Sequence, residues 1–193
     1  MLGLKLATDP RWVNVAEKSI EEILVDHAYC EQKAASTCIA LIVNYSDFDE
    51  LVEKLSPVVS EEWGHFRMVL RELEKRGLKL GANRNDDYVK KLSKVVLSGG
   101  DRKNQLVEKL LLCALIEARS CERFKVLSEH ISDDQLKDFY KQLMIAEAGH
   151  YRLFLDLAKM YEQEDEVKKK FQYYLEQEAL IMQKMDLRGD RVH

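Results

Sequence analysis

A nine-residue pattern suited to metal binding occurs twice in the chain, 85 residues apart. The first copy runs from Glu62 through His65 to Leu70, and the second runs from Glu147 through His150 to Leu155. A glutamate and a histidine three residues apart project from the same face of a helix. Each pair can therefore offer one oxygen and one nitrogen ligand to a metal ion.

Both copies place a glycine directly before the histidine, at Gly64 and Gly149. A glycine in the interior of a helix costs about 1 kcal/mol relative to alanine. Because the sequence accepts this loss of stability in both copies, we expect that room, or a close backbone approach, is needed beside each histidine.

Two further glutamates are expected from other helices. Glu31 lies at helical spacing from Leu24, Ala28, Ala35 and Cys38, where a buried charge is costly unless it meets a cation. Later in the chain both Glu117 and Glu122 are candidates. Glu117 shares its face with apolar residues and follows Glu31 by 86 residues, close to the offset of the repeat, so we predict Glu117 as the ligand. Glu122 is expected to be an outer or additional carboxylate.

The predicted set combines two Glu-x-x-His pairs with one glutamate from each of two other helices, which is the ligand arrangement of di-iron and di-manganese carboxylate bundles. Four carboxylates would balance two divalent ions. Zinc favours four-ligand sites and magnesium rarely uses histidine, so two iron or two manganese ions fit best. The six predicted ligands are Glu31, Glu62, His65, Glu117, Glu147 and His150.

Two neighbouring side chains could hydrogen-bond to these ligands. Glu61 could reach His150, although a solvated Glu61 is an equal alternative. His27 stands one turn before Glu31 and could hold that carboxylate, or it could be an ordinary core histidine.

The composition favours an all-α protein that positions these residues on helices. The chain has 193 residues, 46% of them hydrophobic, with two prolines, eight glycines and a net charge of −4. We expect a single domain over residues 1–193. Four cysteines without a Cys-x-x-Cys pair indicate reduced thiols and a cytoplasmic location, and no apolar run of about 20 residues predicts a membrane span.

Hydrophobic periodicity predicts five long helices and one short one. The expected pattern is a ferritin-like four-helix bundle with a long crossover between helices 2 and 3 and an extra C-terminal helix. Ser46-Asp47 and Ser132-Asp133-Asp134 are the expected caps, and Pro57 is expected to kink or break the second helix. The expected ranges are 9–45, 46–75, 86–97, 103–129, 132–163 and 165–185, with a separate short helix at the start of the first range as the alternative.

The crossover is also the largest basic segment outside the long helices. Lys90, Lys91 and Lys94 follow Tyr88 there, Arg84 precedes it, and Arg102 and Lys103 come after the segment. These lysines are candidates for contact with phosphate groups. Ser98-Gly99-Gly100 is expected to end the short helix.

Four segments of the chain resemble the bacterial tRNA 2-methylthio-N6-isopentenyladenosine hydroxylases, the MiaE type. They are 26–31, 61–66, 115–124 and 147–151, and Ala-Arg-Ser-Cys-Glu-Arg-Phe within the third is the most specific. The resemblance implies an O2-dependent monooxygenase with two iron ions held by the six predicted ligands. It also implies a tRNA anticodon loop as substrate partner and an external redox partner as electron donor, with the donor's identity and the oligomeric state left open. The alternative is a ferroxidase or peroxide-scavenging protein of the ferritin or rubrerythrin kind.

Overall fold

The computed structural model describes residues 2–82, 86–97, 99–185 and 189–192. Over these residues it contains α-helices and no strand, which confirms the all-α prediction. The helices are α1 (Arg11–Glu17), α2 (Ile20–Asn44), α3 (Asp49–Lys75), α4 (Asp87–Ser93), α5 (Arg102–His130), α6 (Asp134–Tyr161) and α7 (Glu164–Gln183).

The chain divides into two compact units, and the single domain over residues 1–193 stays a prediction. We call residues 14–85 with 188–192 the α2–α3 unit, and residues 1–13 with 86–187 the α5–α6 unit. Each unit is built on a helical hairpin with a short connection, as antiparallel neighbours in bundles are. No helix of the described residues is long and apolar enough to cross a membrane.

In the α2–α3 unit, the two long helices bury one apolar face each. Leu24, Ala28 and Ala35 of α2 and Leu55 and Val69 of α3 are almost completely inaccessible to solvent. Burying one such aliphatic side chain contributes about 1.5–3 kcal/mol, so the hairpin is held mainly by this contact. The expected long first helix is divided at its start, since α1 ends at Glu17 and α2 begins at Ile20.

The expected break of α3 at Pro57 is wrong, because the helix continues through that residue, with Leu55 and Val58 buried on either side of it. The kink expected as the alternative stays a prediction. The expected cap of α3 is also wrong. The residue before the first turn is Phe48, which makes no side-chain cap, so neither Ser46 nor Asp47 caps the helix.

In the α5–α6 unit, aspartates cap three helices as their side chains accept backbone N–H bonds. Asp133 caps α6 as predicted, accepting from Gln135 and Leu136, while Asp86 caps α4 and Asp101 caps α5. The helix α4 ends at Ser93, four residues before the predicted end, and Ser98 lies outside the described residues.

The helix α5 is buried around its whole circumference over residues 117–124. It packs against α6 and also against α4 and α7. Both Glu117 and Arg119, which point about 200° apart on a helix, are therefore inside the protein.

Candidate metal centre

The α2–α3 unit brings three of the predicted ligands together. Glu31, Glu62 and His65 each offer a ligand atom within 4.8 Å of the others. His65 Nδ1 lies 3.3 Å from Glu62 Oε2 and 3.5 Å from Glu31 Oε2. Both carboxylates are buried, and His65 is largely buried. The side-by-side packing of α2 and α3 thus brings Glu31 to a Glu-x-x-His pair that begins more than 30 positions later in the sequence.

His27 contacts the Glu31 carboxylate directly. Its Nε2 lies 2.7 Å from Glu31 Oε1, one turn along α2, and its side chain is fully buried. A histidine fixed in this way restricts the rotation of the carboxylate and leaves the second oxygen, Oε2, toward His65.

The α5–α6 unit contains the corresponding triplet. Glu117, Glu147 and His150 are all buried, and each offers a ligand atom within 4.8 Å of the others. His150 Nδ1 lies 3.7 Å from Glu147 Oε2. The two halves of the sequence repeat therefore produce the same local set of side chains, two carboxylates and one imidazole, in their own units.

The chemistry of each triplet fits a metal ion. Two carboxylates held this close in a buried place repel each other. A divalent cation would offset that repulsion, and oxygen with imidazole ligands suits iron and manganese.

The glycines beside the histidines are not explained by packing within the chain. A methyl group placed on Gly64 or Gly149 would meet no atom of a neighbouring residue within 4 Å. Of the two expectations for these glycines, the close backbone approach inside the protein is therefore wrong. The expected room is found, because open space lies beside each glycine.

Comparison with known proteins gives the family. The model of the MiaE family, described as tRNA-(MS[2]IO[6]A)-hydroxylase (MiaE), matches residues 2–193. This chain belongs to the MiaE family. It is 38% identical over 160 residues to a tRNA 2-(methylsulfanyl)-N(6)-isopentenyladenosine(37) hydroxylase of Pseudomonas putida, covering 83% of this chain and 77% of that protein. It is 28% identical over 228 residues to the protein of the same name from Salmonella typhimurium, covering 91% of this chain and 82% of that protein.

A solved structure supports the fold. "Protein 43 with aldehyde deformylating oxygenase activity from Synechococcus" matches with a TM-score of 0.92 at 31% identity, covering 98% of this chain and 94% of that one. The match confirms the predicted ferritin-like all-α fold, and the family assignment confirms the resemblance given by the sequence motifs.

The segment most specific to the MiaE family forms a buried ion network. Arg119 is completely inaccessible, and its guanidinium donates to Glu178 Oε1 at 2.8 Å and to Glu122 Oε2 at 2.9 Å. It also donates to the carbonyl oxygen of Leu6 at 2.9 Å. Glu122 accepts a second bond from the Thr8 backbone N–H at 2.8 Å. Glu122 is thus committed to Arg119 and the N-terminal segment.

Burial shifts the pKa values of an acidic and a basic group in this region in opposite directions. It raises the pKa of the Glu178 carboxyl, although Arg119 opposes that shift. It lowers the pKa of Arg123 to about 10, and the guanidinium of Arg123 stacks 4.1 Å above the ring of Trp12. The sequence analysis did not identify Glu178 as a buried charge. Its position was a usable signal, because Glu178 shares the apolar face of Tyr174, Leu175 and Ala179 on α7.

The remaining candidates lie at the surface of their units. Glu61 is exposed on α3, in keeping with the solvated alternative. Lys90, Lys91 and Lys94 are exposed on and just after α4, while Tyr88, which precedes them, is buried. Arg84 lies outside the described residues.

Proposed function

We propose that this protein is an O2-dependent di-iron monooxygenase that hydroxylates the isopentenyl chain of 2-methylthio-N6-isopentenyladenosine in tRNA, beside the anticodon. Membership of the MiaE family over nearly the whole chain is the observation that carries the proposal. Both curated relatives are named as hydroxylases of this nucleoside. We propose a cytoplasmic location, because tRNA is the proposed substrate.

The ligands proposed for the two iron ions are the two buried triplets. Glu31, Glu62 and His65 come from the α2–α3 unit, and Glu117, Glu147 and His150 come from the α5–α6 unit. Iron, when bound, supplies the oxygen chemistry that inserts one oxygen atom into a C–H bond of the prenyl group. The second oxygen atom leaves as water, so the reaction needs electrons from a redox partner.

The chain's own contribution is to exclude water and to fix the ligands. Five of the six ligands are at most 6% exposed, and His65 is also shielded from solvent. The contact between His27 and Glu31 fixes one carboxylate before any metal arrives. A dry, preorganised site strengthens electrostatic interactions and protects a reactive oxidant from side reactions.

The substrate nucleoside must leave the stack of the anticodon loop to reach a buried centre. Single-stranded loops allow bases to be splayed out at low cost, and the apolar prenyl chain can enter an apolar pocket. The exposed lysines at 90, 91 and 94 are proposed to contact phosphates of this tRNA.

The proposal is tested by incubating the iron-loaded protein with prenylated, methylthiolated tRNA, O2 and a chemical reductant, followed by mass spectrometry of the digested nucleosides. A hydroxylated nucleoside is expected. His65→Ala and His150→Ala should lower iron content and abolish the product while the helical circular dichroism persists. His130→Ala, an exposed histidine at the end of α5, is the matched control and should behave as wild type.

A ferroxidase of the same fold would oxidise Fe²⁺ and leave the tRNA unchanged. Rapid iron turnover with unmodified nucleosides would therefore refute the proposed function and support that alternative.

A further inference from the structure

The outward side of α3 carries aromatic and cationic side chains that the metal chemistry does not use. Trp63 is 47% exposed, and Arg67 and Arg71 are exposed one and two turns further along. The spacing of four residues places all three on one side of the helix, with a rise of about 6 Å between successive positions. The same helix turns Glu62 inward, so this stripe lies on the back of a ligand-bearing helix.

The two arginines keep their charge available. Within the part of the chain that the structure describes, neither has a carboxylate within ion-pair distance. Some other surface cations are paired with carboxylates: Arg11 Nε lies 3.0 Å from Asp9 and Lys168 Nζ lies 3.1 Å from Glu164. The stripe therefore presents two positive charges that can attract an anionic ligand, in a chain whose net charge is −4.

The other two positions of the stripe, Trp63 and Gly64, fit a flat ligand that lies close to the helix backbone. The ring of Trp63 is held by Phe66, with centroids 4.9 Å apart, while nearly half of the side chain stays exposed. Gly64 beside it leaves open space where any other residue would place a side chain. A glycine inside a helix lowers stability relative to alanine, and no contact within the chain requires it here.

We infer that this stripe, defined by Trp63, Gly64, Arg67 and Arg71, is a binding surface for tRNA. The inference rests on the proposed function and names residues for its substrate that the metal site does not include. Arginine side chains bind phosphate by paired N–H donors, and an exposed tryptophan provides a stacking surface for an unpaired base. Open space at Gly64 lets the nucleic acid approach the helix backbone.

The first test is binding of a tRNA anticodon stem-loop over a range of salt concentrations. Each phosphate contact to single-stranded nucleic acid contributes about 0.7 to the slope of log K against log salt, so Arg67→Gln with Arg71→Gln should reduce the slope by about 1.4. The matched control is Arg11→Gln with Lys168→Gln, which removes the same charge from cations already paired with carboxylates. It should leave the slope unchanged.

The second test uses the two tryptophans of the chain as reporters. Trp12 is completely buried, so quenching of tryptophan fluorescence by the stem-loop should come from Trp63 and should disappear in Trp63→Phe. Phenylalanine keeps a stacking surface, whereas Trp63→Ala should weaken binding by about 5- to 150-fold.

The third test compares Gly64→Ala with Gly149→Ala, which occupy the same position in the repeat. Both should bind iron and be at least as thermostable as wild type, since neither added methyl group meets a neighbour. Only Gly64→Ala should weaken tRNA binding.

These results separate the inference from the proposed function. A wild-type protein that binds no tRNA refutes the proposed function itself. Normal tRNA affinity and salt slope in the double arginine variant, with tRNA hydroxylation intact, would overturn only the inference. Equal weakening by the two glycine variants would also overturn it, because the effect would then come from the histidines next to them.

Discussion

Replacement of Arg119 by methionine is the most direct test of the buried network. The change removes the guanidinium that serves both Glu178, which is 0% exposed, and Glu122. Removing one partner of a buried ion pair costs about 3–5 kcal/mol because the other charge stays buried without compensation. For a chain of this length that loss lowers the melting temperature by about 10 °C.

The pH dependence of the lost stability identifies the uncompensated carboxylate of Glu178 as the cause. Burial raises the pKa of Glu178 and Arg119 lowers it, so the pKa must rise further when Arg119 is removed. A carboxyl whose pKa is higher in the folded state contributes stability that is fully present below its unfolded pKa and lost as the pH rises through its folded pKa. The variant should therefore regain stability relative to wild type when the pH falls from about 8 to about 5.

The assay is urea denaturation followed by circular dichroism at several pH values. The control is Arg119→Met combined with Glu178→Leu, which removes the uncompensated carboxylate, while Glu122 keeps its bond from the Thr8 N–H. This double variant should recover most of the lost free energy of unfolding. A single variant that is as stable as wild type at pH 8, or a double variant no more stable than the single one, would refute the reasoning.

Three further predictions test other features. Glu117→Ala should lower iron content, measured by plasma mass spectrometry, whereas Glu122→Ala should keep the iron and lose stability; the reverse pattern would contradict the ligand assignment. Gly189→Ala should release residues 189–192, because a methyl group at Gly189 would clash with the backbone carbonyl oxygen of Val15. Faster deuterium exchange at the C-terminus would report this release, and unchanged exchange would count against it. Glutamate at Lys90, Lys91 and Lys94 together should weaken tRNA binding and flatten its salt dependence with iron content unchanged, and unaltered affinity would exclude this segment from the interface.

The sequence could predict which side chains lie together because that arrangement depends on short spacing, while their role as metal ligands stays a prediction. A Glu-x-x-His pair on a helix needs only local geometry, and both pairs converge with a glutamate of the neighbouring helix in the hairpin. The choice between Glu117 and Glu122 depended on helical faces and the repeat offset. The structure shows Glu122 held by Arg119 and Thr8, a contact that joins residues 114 positions apart.

What the sequence could not predict comes from long-range contacts. The network that includes Glu178 needs α7 to lie against α5, and periodicity does not say which helices become neighbours. The effect of Pro57 was overestimated for a related reason, because buried contacts on the apolar face of α3 outweigh the loss of one backbone hydrogen bond. The glycines were interpreted as sites of either room or a close backbone approach, and spacing alone could not show that both face open space.

The complete burial of α5 over residues 117–124 limits how this protein can change. Along α3 and α6, buried and exposed positions alternate with the helical turn, so substitutions are absorbed on the outward side. Eight consecutive positions of α5 have no outward side, and each of them is either packed, hydrogen-bonded or charged in a dry place. Substitutions from neutral drift or protein engineering are therefore tolerated on the exposed faces of α3 and α6. A substitution within residues 117–124 of α5 must come with a compensating change in a neighbouring residue.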